Sequence, residues 1–234
     1  EESEEFLIDD IRIRLIIDNF GYTVYAPNLF HERLYISDYK YGLITDIDDT
    51  ILHTGATTFF TRLKQIIFTR PDERRSIEGM PEVYRRLAAD GAKIFYVSNS
   101  EANLFPAIST FLHSHRFPQG ACFLRKNKLL SYFLHHKKGH RSPISHKLRV
   151  SSLPMRTQKK KRFILVGDNG QYDPVIYKEV IRRFPGRVSY VFLRDIHDKI
   201  GLKRQCWGGV PVLFYSSLND IKPFISVRLN SDFS

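Results

Sequence analysis

The sequence predicts an α/β protein built on a parallel sheet with helices on its faces. Three observations predict it. From Tyr41 onward, short apolar runs alternate with stretches of helical periodicity, the pattern of strand–helix–strand units. Two of the helical stretches open near a proline and close near a glycine, Pro81 to Gly91 and Pro174 to Gly186, as helix starts and stops require. Three of the apolar runs end in a polar residue, namely Asp46, Ser98 and Asp168. Polar groups at strand ends mark the functional edge of such sheets.

The elements follow in order. Residues 6 to 36 read as β, because "IRIRLII" begins by alternating and "YTVYA" follows the turn signal Asn19-Phe20-Gly21. "YGLITDI" is a strand and "PEVYRRLAADG" a helix. "AKIFYVS" is the next strand, and "NLFPAISTFLHSH" is helical with Pro106 in its first turn. "ACFL" and "RFILVGD" are strands, "PVIYKEVIRRFPG" is a helix, and "VSYVFLRD" and "VPVLFY" are strands. Two stretches break the rhythm. Residues from about 54 to 79 hold "FFTRLKQIIFTR", whose apolar spacing is helical, and read as a small cap inserted in the fold. Residues 126 to 161 are rich in Lys, Arg, His and Ser and receive no element. The expected organisation is a β-rich extension over 1–40 and a main domain over 41–234.

Composition limits the function. The chain has 234 residues, 42% of them hydrophobic and 13% aromatic, so it buries a sizeable core. Its formal charge of +11 favours an anionic partner: nucleic acid, anionic lipid or a phosphorylated small molecule. Cys122 and Cys206 stand far apart, which argues against a disulfide framework or a zinc site and for a reducing, cytoplasmic setting. No uncharged apolar run approaches the ~20 residues of a membrane span. The chain opens on Glu1 rather than Met, as expected of a trimmed product, so a targeting signal and export to another compartment stay open.

Asp46, Asp48, Asp49, Asp168 and Asp173 give the chemistry its outline. Carboxylates converging on one sheet edge repel one another unless a cation offsets them. With oxygen donors and no Cys/His cluster, Mg²⁺ suits them better than zinc. That set suits phosphoryl transfer. One carboxylate attacks phosphorus, and another two residues on handles the proton. A hydroxyl and a lysine hold the remaining oxygens. Ser98 supplies the hydroxyl, and Lys147 the charge, with Lys138 or Arg149 as alternatives.

"DIDDT", "YVSNS", Lys147 in "SHK" and "GDNGQYD" together resemble the four ordered motifs of haloacid dehalogenase-like (HAD-like) hydrolases. "TDIDDTILHTG", "YVSNSEANLFPAISTFL", "FPQGACFLR", "SHK", "GDNGQYDPVIY" and "FPGRVSYVFLRDI" further resemble the actin-patch-associated phosphatidate phosphatase family. The likeness to lipins is more distant, since those carry Gly at the place of Asp49. The resemblance implies a Rossmann-like HAD fold and a Mg²⁺-dependent phosphatase that converts phosphatidate to diacylglycerol. It implies Asp46 as nucleophile and Asp48 as acid/base. Asp46, the Asp48 backbone carbonyl and Asp168 would hold Mg²⁺. Ser98, Asn99 and Lys147 would grip phosphate, Thr50 would brace the first motif, and Asp173 would support the metal shell or orient Lys147. Asn169 stands where the family often has Ser.

Each feature also has a plainer reading. The aspartates suit a solvated turn, Ser98 and Asn99 a helix cap, and Asp173 before Pro174 another cap. "HHKKGHR" and "QKKKR" suit a solvated face as well as an anionic membrane surface. His53, His113, His115 and His197 show no ligand spacing, and Cys122 reads as a buried, inert thiol. The leading expectation is a lipid phosphatase, peripherally attached to a membrane and acting on phosphatidate or another anionic lipid. The alternatives are a HAD-type phosphatase of a nucleic-acid end, phosphoprotein or soluble phosphomonoester, and a non-catalytic domain that binds anionic lipid.

Overall fold

The computed structural model describes residues 22–25, 39–47, 79–101, 104–125, 143–170, 172–196 and 203–221. The cap expected over about 54–79 falls outside the described residues apart from Gly79, and so do Asp48, Asp49, Thr50 and "IRIRLII".

One sheet of eight strands organises the described residues. The strands are β1 (Tyr22–Tyr25), β2 (Tyr41–Asp46), β3 (Ala92–Glu101), β4 (Gly120–Arg125), β5 (Phe163–Asp168), β6 (Val188–Arg194), β7 (Lys203–Trp207) and β8 (Val210–Tyr215). The helices are α1 (Met80–Ala89), α2 (Phe105–Ser114), α3 (Pro143–Thr157) and α4 (Asp173–Arg183). Their order across the sheet is β1-β4-β3-β2-β5-β6-β8-β7. The run from β4 to β8 is parallel, while β1 on β4 and β7 on β8 are antiparallel edges. The chain winds outward from β2 through β3 to β4, then returns to the other side of β2 with β5. That reversal is a topological switch point, and it opens a crevice beyond the ends of β2 and β5.

Strand periodicity sorts the core into two layers. Leu43, Ile94, Tyr96, Ile164, Val166, Tyr190 and Phe192 face α1 and α2, meeting Met80, Val83, Tyr84, Ile108 and Phe111. Ile44, Phe95, Phe163, Leu165, Val191 and Leu193 face α3 and α4, meeting Val150, Met155, Ile176, Tyr177 and Val180. Central strands buried on both faces must be apolar almost throughout, which is why β2 and β5 read as continuous runs. Gly42 leaves room for the Phe163 ring, whose Cδ1 would lie 2.3 Å from an added Cβ.

Helix ends follow the punctuation. Gly79 precedes α1 with φ 80°, and Gly91 follows it with φ 98°, both in the left-handed region. Pro81, Pro106 and Pro174 stand in first turns, where no backbone N–H is needed.

The structure departs from expectation in two elements. Residues 143–157 form the fifteen-residue helix α3 inside the stretch that received no element. Val150 and Met155 are buried on it, but Lys147, Ser151, His146 and Ser152 are buried beside them, so polar residues interrupt its apolar face and Pro154 reads as a breaker. Arg187 secures its far end, donating from Nη1 to the Met155 carbonyl at 3.3 Å and from Nε to the Lys161 carbonyl at 2.8 Å. β7 is the other departure. It is a polar, largely exposed edge strand, joined to β8 through Gly208 and Gly209, both of positive φ, as a two-residue hairpin requires. Both cysteines are free, and burial pushes the Cys122 thiol up to about 12, which keeps it unreactive.

Candidate active site

Asp46 ends β2 and Asp168 ends β5, so adjacent strands deliver both carboxylates to the switch point. Asp46 is buried at 1% exposure, and Asp168 and Asp173 are fully buried. Asp173 comes from the first turn of α4. Gly167 makes that approach feasible, because a Cβ there would stand 2.2 Å from Asp173 Oδ2. Asp173 Oδ2 accepts the Asp168 N–H at 3.2 Å, and Asp168 Oδ1 accepts the Gly170 N–H at 2.7 Å.

Lys147 enters from α3 and joins the acids. Its Nζ lies 3.0 Å from Asp46 Oδ1 and also pairs with Asp173 Oδ1. Burial alone would push this ammonium toward neutrality. The carboxylates of Asp173 and Asp46, with Asp168 behind them, outweigh burial and hold it above its ordinary range. Among the described residues, Lys147 is the lysine paired with these acids, and Arg149 is half-buried elsewhere on α3. Lys138 lies outside the described residues.

Carboxylate oxygens of Asp46, Asp168 and Asp173 lie within 4.8 Å of one another. Among the described residues, three buried carboxylates gather around the Lys147 ammonium, which concentrates acidic groups in a place with little water. Hard oxygen donors gathered so closely suit a hard divalent cation. These residues fit a metal on both counts.

Ser98 and Asn99 sit within β3, which runs on to Glu101, so they are not the cap of α2; that position is Leu104. The β3–β4 register shifts between Val97 and Glu101. In that irregular stretch the buried Ser98 Oγ donates to Ser100 Oγ at 2.8 Å and accepts the Ser100 N–H at 2.9 Å. Asn99 Oδ1 is buried and meets no hydrogen-bond donor among the described residues.

Two residues unmarked in the sequence serve this site. Tyr84 on α1 lies 2.6 Å from Thr45 Oγ1, and Thr45 Oγ1 donates to the Asp46 carbonyl at 3.0 Å. A hydroxyl has one proton, so the Tyr84 O–H is the donor to Thr45. His146 is buried beside Lys147, and its only signal is its place in "SHK". Asn169 spans to the end of β6, donating to Asp195 Oδ1 at 2.8 Å and accepting the Ile196 N–H at 3.1 Å.

A parallel sheet with a switch point flanked by a strand-end aspartate, a buried lysine and two further acids defines a HAD-like fold. The same fold occurs in a Mesorhizobium loti protein described as a HAD-like phosphatase, with a TM-score of 0.56 and 14% identity over 88% of this chain and 92% of that one. Residues 41–195 match the model of the phosphatidate phosphatase APP1 catalytic domain, and the chain belongs to that family. The match begins at β2 and ends one residue beyond β6, so it takes in every site residue discussed above. Phosphatidate phosphatase APP1 of Saccharomyces cerevisiae is 32% identical over 164 residues, 68% of this chain and 27% of that protein. An uncharacterised Schizosaccharomyces pombe protein is 29% identical over 158 residues, 66% of this chain and 25% of its own length. The chain thus spans about a quarter of the length of these relatives.

Proposed function

We propose that the chain is the catalytic domain of a Mg²⁺-dependent phosphatidate phosphatase that yields diacylglycerol and phosphate. The observation that carries this reading is the trio of Asp46, Asp168 and Asp173 gathered around Lys147 at the switch point. Membership of the family and the yeast relative support it. We place the phosphatase domain at 41–234, with a cap near 54–79 and a β-rich extension over 1–40.

The chemistry proceeds in two displacements. An Asp46 carboxylate oxygen attacks phosphorus, the ester P–O bond breaks, and Asp48 protonates the departing alkoxide. Water then attacks the aspartyl-phosphate and gives its proton to Asp48, which frees phosphate and restores Asp46. Asp48 lies outside the described residues. Lys147 stabilises charge on the transferring group, and the Ser98 hydroxyl and Asn99 hold its oxygens. Mg²⁺ held by Asp46, the Asp48 carbonyl and Asp168 would offset repulsion between nucleophile and phosphate, with Asp173 anchoring Lys147.

The decisive experiment is phosphate release from phosphatidate in mixed micelles, with Mg²⁺ and with chelator. Release that needs Mg²⁺ is the expected result. Turnover of nucleic-acid ends or soluble phosphomonoesters alone would overturn the lipid assignment.

A peripheral, cytoplasmic membrane setting accompanies this reading. No described helix is long and apolar enough to cross a membrane. Among the described residues, the exposed large apolar side chains are Tyr172 and Val175, within two residues of Asp173 in the sequence. With the charge of +11, that exposed pair suits an anionic bilayer. Tyr172→Asp with Val175→Asp is expected to lower turnover of phosphatidate vesicles about tenfold or more. Turnover of a soluble short-chain substrate should stay unchanged, and equal losses on both substrates would count against membrane contact here.

A further inference from the structure

The backbone at Ser98 poses a problem that the phosphatase reading does not itself address. β2 and β3 stay in register up to Asp46 opposite Val97. The Val97 carbonyl accepts the Ile47 N–H at 3.0 Å. Successive carbonyls of a strand point to opposite sides, so the Ser98 carbonyl faces away from β2, toward β4. There the β3–β4 register shifts between Val97 and Glu101. A carbonyl beside such an irregularity is open to a donor from outside the ladder.

His146 offers one. It is 6% exposed, and its Nε2 lies 3.3 Å from the Ser98 carbonyl, across 48 positions of sequence. A carbonyl only accepts, so Nε2 carries the proton in this contact. The next residue, Lys147, holds Asp46 and Asp173. One turn of α3 therefore fastens the backbone of β3 through His146 and the acids of β2 and α4 through Lys147. The Ser98 hydroxyl is turned by Ser100 from its own strand, while its main chain is held from α3.

We propose that His146 is a positioning residue that sets the distance between the Ser98 hydroxyl and the Lys147 ammonium, and so the fit of the site to a phosphate group. The proposal rests on the phosphatase reading, because it takes Ser98 and Lys147 to be phosphate ligands. In this assignment His146 acts through Ser98 rather than on the reacting atoms. It acts by supplying an N–H at one fixed place, and a displacement on the order of 1 Å at a reacting group can cost roughly a hundredfold.

The test is a cycle of His146→Ala, Ser98→Ala and the double variant, read by calorimetric binding of orthovanadate with Mg²⁺ and by kcat and KM on phosphatidate micelles. His146→Ala is expected to weaken orthovanadate binding and raise KM about tenfold. In the Ser98→Ala background the same change should have little further effect, because the hydroxyl it positions is gone. His146→Gln places an amide N–H near the former Nε2 and should restore binding to within about threefold, whereas His146→Asn, whose shorter amide falls near Nδ1, should not. Thermal melts of every variant separate these effects from loss of folded protein.

Several results would overturn the assignment. One is equal loss from His146→Ala with or without Ser98. Another is a fall in kcat alone, in proportion to the folded fraction, with orthovanadate binding intact. The third is failure of His146→Gln to restore binding although the protein melts like the wild type. If the wild type itself neither binds orthovanadate nor releases phosphate, the phosphatase reading falls and this proposal falls with it. If the wild type does both and His146→Ala matches it, only the role of His146 falls.

Discussion

Asp46→Asn is expected to reduce phosphate release by about 10⁴-fold or more, since an amide cannot form the acyl-phosphate on which both displacements depend. The variant should nonetheless fold. Among the described residues, Asp46 is one of three buried carboxylates around the Lys147 ammonium, and Lys147 keeps Asp173 as a partner. Removing one of three like charges relieves repulsion, so the melting temperature in chelator should be no lower than that of the wild type. Activity on phosphatidate micelles and thermal melts in chelator check both halves. Full activity in the variant would sink the mechanism, and an unfolded variant would sink the charge argument.

Lys147→Met is expected to damage stability as well as activity. Methionine matches the length of the lysine stem but takes from the buried Asp46 and Asp173 the ammonium that both pair with. Breaking a buried ion pair from one side costs about 3–5 kcal/mol, which for a chain of this size lowers Tm by roughly 10 °C. Saturating Mg²⁺ should recover part of the loss, about 2.7 kcal/mol at a hundred times its Kd. The pH dependence has a definite sign. The Lys147 ammonium is held above its ordinary value in the fold. Its stabilising effect is thus complete below the unfolded value of about 10.4 and declines only as pH rises toward the folded value. The gap between wild type and variant should stay constant from about pH 6 to about pH 9 and narrow in strong alkali. Urea melts in chelated buffer measure it, and a gap that closes toward neutral pH would contradict the assigned charge state.

The legible parts of this protein were those where burial and chemistry ask for the same residue types. β2, β3, β5 and β6 lie between two helical layers, so they need apolar residues on both faces and stand out as runs. Asp46, Ser98 and Asp168 were readable because residues at the ends of such runs have few structural reasons to be polar. α3 was hidden for the opposite reason. It packs Lys147 and Ser151 inward beside Val150 and Met155, so polar groups interrupt the stripe by which helices are found. β7 was hidden because an edge strand needs no buried face, although Gly208-Gly209 announced its hairpin. His146 carried no signal beyond its place in "SHK". Its partner is a carbonyl beside a register shift in β3, and a register shift leaves no mark in residue types.

The switch point between β2 and β5 also bears on the order of events as the chain folds. Asp46 and Asp168 are neighbours across one ladder, yet β4, α3 and everything else between residues 46 and 163 must be made before β5 exists to pair. Long-range pairing of that kind forms late and slowly. During synthesis the chain therefore carries these acids apart, and they meet only once β5 has paired with β2. Divalent-ion binding at these acids would then report completed folding, which makes it a natural clock for refolding experiments.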